Sequence, residues 1–160
     1  MGRTGEMRLE RVVDGDPRTT LDPVTWTRAS RRWASVTPVA LDENPGDLAS
    51  RDPRVAAQAA EKAESSVARA CERIGLPAPA WVQVMRRSLF DAAPPAKAFT
   101  PFPRGGSGRS FKRVCVHVEV LFTKAVEGPV VLGAGRYFGL GLCRAVGIDE
   151  SRDHVRRKPS

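Results

Sequence analysis

The stretch from Gly128 to Leu142 gathers the residues of this chain best suited to chemistry. Arg136, Tyr137 and Phe138 sit there among glycines 128, 133, 135, 139 and 141. Dense glycines admit positive φ values and let main-chain amides come close to a ligand. A guanidinium offers a fork for phosphate oxygens, and aromatic rings offer stacking surfaces for bases. Gly133, Gly135, Gly139 and Gly141 with Arg136 and Tyr137 therefore suit an RNA backbone. The alternative is a glycine-rich turn between two buried strands, with no ligand. Two better-known glycine motifs are excluded by spacing: Gly133, Gly135 and Gly139 are one residue too long for G-x-G-x-x-G, and no Gly-Lys-Ser/Thr follows.

The chain has two histidines. His154 lies in the basic tail. His117 lies mid-strand, a short chain distance before the glycines. Val114, Val116, Val118, Val120 and Phe122 alternate to one face, while Cys115, His117, Glu119 and Leu121 alternate to the other. If the valine row meets a helix, His117 and Glu119 lie on the open face of a sheet. Glu119 is then placed either to orient His117 or to stand as an exposed carboxylate.

Around this strand the elements are readable. Ala34–Leu41 predicts a strand with an edge or bulge at Pro38. Asp52 and Pro53 predict the start of a helix running to Ile74, with Gly75 as its stop. Val55, Ala59, Ala63, Val67 and Cys71 are its apolar stripe. Strands are expected over Trp81–Arg87, near Val130–Leu132 and near Leu140–Cys143. Helices covering one side of an antiparallel sheet make a ferredoxin-like α+β fold. Residues 1–24 read as a lead segment, 25–148 as the domain, 92–110 as a long loop and 149–160 as a basic tail.

The 160 residues suffice for one domain, and the charge of +8 with a pI near 10.2 points to an anionic partner, nucleic acid first and an acidic membrane surface second. Lys97, Arg104, Arg109, Lys112 and Arg113 fall within one acid-free stretch interleaved with Phe99, Phe102 and Phe111. This is either a solvated loop or an arm that grips a phosphate backbone without reading bases. Arg31 and Arg32 are placed to do likewise, while Trp26 and Trp33 read as core. Three cysteines without a C-x-x-C argue against a disulfide framework or a zinc site. No cofactor and no metal are expected. The N-terminal residues lack the apolar core of a signal peptide, and no window reads as a membrane span, which places the protein in the cytoplasm.

The segment Val126–Leu142, preceded by the His117 strand, resembles the C-terminal end of the CRISPR-associated RAMP superfamily. Trp26–Asp42 and Ile74–Pro79 are similar to the middle segment and the post-helix connector of its fused repeat-processing subunit from type I-U (I-G) interference complexes. The resemblance implies a ferredoxin-like RNA-binding fold and metal-independent cleavage of CRISPR precursor RNA within its repeats. It also implies partnership with CRISPR repeat RNA and with other subunits of a type I interference complex. Family members resemble two such domains in tandem and this chain reads as the second of them, so the resemblance implies a fragment, a split-gene partner completed by a separate chain that supplies the N-terminal half, or a degenerate copy. Such cleavage has a ribose 2′-hydroxyl attack the neighbouring phosphate, which needs a base of near-neutral pKa and positive charge at the phosphorane. On this reading His117 is the base, Arg136 stabilises the charge, and Tyr137 stacks on a base or bonds the scissile region. A non-catalytic RNA-binding or assembly subunit of the complex is the alternative.

Overall fold

A computed structural model describes residues 21–99 and 113–147. Its elements in chain order are α1 (Val24–Thr27), β1 (Ser30–Ser35), β2 (Val39–Ala40), α2 (Pro53–Arg73), β3 (Pro79–Met85), β4 (Cys115–Val126), β5 (Val130–Val131) and β6 (Leu142–Ala145). Short 3₁₀ turns cover Ala96–Phe99 and Arg136–Phe138. The strand order is β3–β4–β1–β6–β5, every recorded pairing is antiparallel, and β2 pairs with the start of β4. The chain is thus α+β with an antiparallel sheet, compatible with a ferredoxin-like fold. Where a second helix would join the third and fourth strands of that pattern, this chain has β5 and the glycine-rich hairpin.

Local chemistry accounts for α2. The Asp52 carboxylate accepts the Arg54 amide at 2.8 Å, and Pro53 occupies the first helical position, where its missing N–H costs nothing. Gly75 follows the end with φ +82°, as a helix stop requires. The buried face is Ala59, Ala63, Ser66, Val67, Ala70 and Cys71. Ala63, Val67 and Cys71 share one cluster with Val116, Val118, Val120, Phe122, Trp33 and Cys143. The valine row therefore meets the helix.

Strand β1 does not run straight into β2. After Ser35 the chain swerves towards β6, and the amides of Val36 and Thr37 donate to the Leu142 carbonyl. Pro38 has no amide to give back to a ladder. Pairing with β4 resumes at Val39–Ala40, opposite Val116 and Cys115. The swerve also receives the hairpin: Gly141 donates to the Pro38 carbonyl at 2.9 Å and Ala134 to that of Ala40 at 3.0 Å.

Gly141 fits only as glycine. Its φ is +80°, and a Cβ there would stand 1.8 Å from the Leu132 carbonyl oxygen. Gly139 also has φ +74° but opens to free space. Thermal unfolding should separate the two: Gly141→Ala is expected to destabilise by roughly 3 kcal/mol from strain and clash together, against about 1–2 kcal/mol for Gly139→Ala. Equal losses would remove the packing role assigned to Gly141.

Candidate nucleic-acid interface

His117 lies opposite the valine row, as the alternation requires, yet it is not on an open surface. Its exposure is 0%, and that of Glu119 is 2%. The expectation that both face solvent is corrected by the segment Ser88–Phe99, which crosses this side of the sheet. Ser88 Oγ donates to the Ser35 carbonyl at 2.6 Å, Phe90 stacks on the Arg144 guanidinium at 3.9 Å, and Ala96 is buried. The Pro94 carbonyl stands 3.0 Å from His117 Nε2.

Nδ1 of the imidazole faces Ser35 Oγ and, at a longer 3.3 Å, the Ser35 carbonyl, and Nε2 faces the Pro94 carbonyl; the two shorter contacts assign the tautomer. Pro94 O can only accept, so Nε2 carries the proton. Ser35 Oγ lies 3.0 Å from Nδ1 and accepts the Val118 amide at 2.9 Å. A hydroxyl that accepts from one neighbour has its proton for the other, so Ser35 donates to Nδ1. The ring is neutral, with both nitrogens engaged. Burial lowers its pKa from the ordinary 6.5, partly offset by the carbonyls of Pro94 and Ser35.

The cations expected to grip phosphate divide into two groups. Arg32 Nε pairs with the buried Glu119 carboxylate, its diagonal neighbour across β1 and β4. Its guanidinium therefore balances an internal charge. Arg113 donates to the carbonyls of Leu41 and Asp42 at 3.2 and 3.0 Å. Arg31 reaches the Phe122 carbonyl at 3.2 Å from an exposed position. Arg104, Arg109 and Lys112 lie outside the described residues.

The glycine hairpin is corrected in part as well. Its amides were expected to be free, but Gly139 and Gly141 donate to the carbonyls of Arg136 and Pro38. Gly133 packs against the Ala40 carbonyl, where a Cβ would come within 2.5 Å, and Gly135 against Leu140. The close approach these glycines permit is to the chain's own backbone. What points outward is the tip. Tyr137 is 90% exposed and Phe138 60%, and the Arg136 guanidinium sits 6.0 Å from the Tyr137 ring centre. Phe138 extends this surface. Trp33 is fully buried and Trp26 half-buried.

A second feature had no signal in the sequence. A groove of about 850 Å³ opens between the first turns of α2, the end of β3 and the start of β4. Among the described residues no cluster of three His, Cys, Asp or Glu side chains gathers in metal-ligating geometry, and no helix is long and apolar enough to cross a membrane.

An antiparallel sheet covered by a helix on one side, with an arginine–aromatic tip at its end, defines a class of α+β domain. The comparison with protein families makes the class specific. The model of the CRISPR-associated protein, GSU0054 family, matches residues 15–145, and the chain belongs to that family. Comparison with curated proteins and with solved structures gives no match.

The sealed imidazole sets a pH dependence. Its lowered folded pKa means that the unfolded chain takes up a proton first as the pH falls below about 6.5. The stability it confers is therefore complete above that pH and declines below it, until the folded ring also protonates, with a slope of at most about 1.4 kcal/mol per pH unit. Melting temperatures of the wild type between pH 7.5 and 5.5 should fall more steeply than those of His117→Gln. Parallel profiles would show that the ring is solvated and already titrates normally.

Proposed function

We propose that this chain is an RNA-binding domain of the CRISPR defence apparatus, holding CRISPR repeat RNA within a type I interference complex. The observation that carries the reading is the Arg136–Tyr137–Phe138 tip: a cation and two largely exposed rings on a tightly packed hairpin. Rings fixed in that way stack on unpaired bases at little entropic cost, and the guanidinium beside them meets a phosphate. The net charge of +8 adds long-range attraction to a polyanion. Membership of a CRISPR-associated family supports a role in that defence.

Cleavage of the repeat, the finer activity implied by the resemblance, needs a base within reach of the scissile 2′-hydroxyl. Both ring nitrogens of His117 are engaged beneath the Ser88–Phe99 segment. That geometry favours the non-cutting alternative: the domain binds RNA, and His117 ties the sheet to its cover.

Labelled repeat RNA incubated with the protein in EDTA tests both halves. The RNA should be retained uncut, and Arg136→Glu or Tyr137→Ala should weaken binding about tenfold or more, the scale of one lost base stack or phosphate contact. The Arg136 variant should also flatten the salt dependence by about one unit of slope. Unaltered affinity in both variants would reject the tip. A 2′,3′-cyclic phosphate product that disappears in a folded, RNA-binding His117→Gln protein would restore the catalytic reading.

A further inference from the structure

The groove between the end of β3 and the start of β4 joins an apolar lining to a basic rim. Its apolar lining includes Ala57 and Ala60 of α2 with Val84 and Val116 of the sheet. Among its lining residues the charged ones are Arg86, Arg87, Lys97 and Arg113, and none is acidic. An apolar slot with a basic rim matches a molecule that is flat and apolar at one end and anionic at the other. A nucleotide is such a molecule, whereas an apolar protein segment brings no negative charge to a rim that has no acidic residue of its own.

The topology relates this groove to the hairpin tip. The start of β4, which lines the groove, pairs through Val116 and Cys115 with Val39 and Ala40 of β2. The Ala40 carbonyl in turn accepts the amide of Ala134 in the hairpin. Groove, β4, β2 and hairpin are thus successive neighbours at one end of the sheet, and adjacent strands lie about 4.8 Å apart. Resting on the RNA-binding reading above, we propose that this groove takes one unpaired nucleotide of the same single strand whose neighbours stack on Tyr137 and Phe138. The base lies over the alanine face of α2, and the phosphates meet Arg87 and its neighbours on the rim.

Cys115 reports on occupancy, because it lines the groove half-buried while Cys71 and Cys143 are fully buried. Ala57, exposed on the helix, allows the slot to be filled without touching the core. The test measures affinity for a short single-stranded RNA oligomer in Ala57→Trp and Arg87→Glu, alongside maleimide alkylation of Cys115. Each substitution is expected to weaken binding about tenfold at unchanged melting temperature, and RNA is expected to slow the alkylation. If both variants bind as the wild type does and RNA leaves Cys115 equally reactive, while Arg136→Glu still weakens binding, the groove assignment fails and the tip stands. Absence of RNA binding in the wild type removes both. Alkylation that speeds up without RNA on deletion of residues 100–112 would assign the groove to the chain's own segment and overturn the proposal. Protection of Cys115 by another subunit and not by RNA would overturn it in favour of a protein partner.

Discussion

A strand that leaves its ladder must hand its neighbour's amides to another acceptor, and β1 leaves its ladder at Ser35. The next residues bond to β6, so the Val118 amide of β4 faces a side chain where a carbonyl would otherwise stand. Ser35 Oγ accepts that amide and spends its own proton on His117 Nδ1, while Nε2–H closes the chain of bonds at Pro94. A buried donor or acceptor left unmet costs about 1–3 kcal/mol. Serine and imidazole are therefore the condition on which the swerve can exist inside a sheet covered on both sides. The same swerve offers the carbonyls of Pro38 and Ala40 to the glycine hairpin.

Seen from that constraint, the polar residues in the sheet form an internal system. Ser88 and Pro94 bring their segment down on Ser35 and His117, and Arg32 answers the charge that Glu119 carries into the interior. An ionised carboxylate so deeply placed requires a partner. With these groups occupied, the outward-facing features are the tip at Arg136–Phe138 and the basic rim of the groove beside α2. Both stand at the same end of the sheet because the hairpin is anchored on β2, and β2 on β4.

The sequence made the scaffold readable where one physical signal acted alone. Asp52, Pro53 and the apolar stripe specified α2 to within a residue, and the alternation in Val114–Phe122 specified which side of β4 each residue takes. Pro38 marked the break in the first strand. Alternation assigns a side, however, and says nothing about what covers it. The cover over His117 comes from Ser88–Phe99, which has no period of its own and docks through two backbone carbonyls. The Arg32–Glu119 pair depends on a register set by residues 87 positions apart. Glycine spacing signalled close approach at Gly133 and Gly141, but a phosphate and a neighbouring carbonyl make the same demand on Cβ. Burial at the hairpin base is what distinguishes them.

The state of imidazole 117 carries most of this account, and nitrogen-15 NMR of the histidine side chains observes it directly. At neutral pH that ring is expected in one neutral tautomer, with the proton on Nε2, a bare Nδ1, and slow exchange with solvent. A ring averaging between both tautomers and titrating near 6.5 would mean that the Ser35–Pro94 bridge does not hold. The sheet face would then be open, and the division between internal and outward-facing polar groups would be wrong.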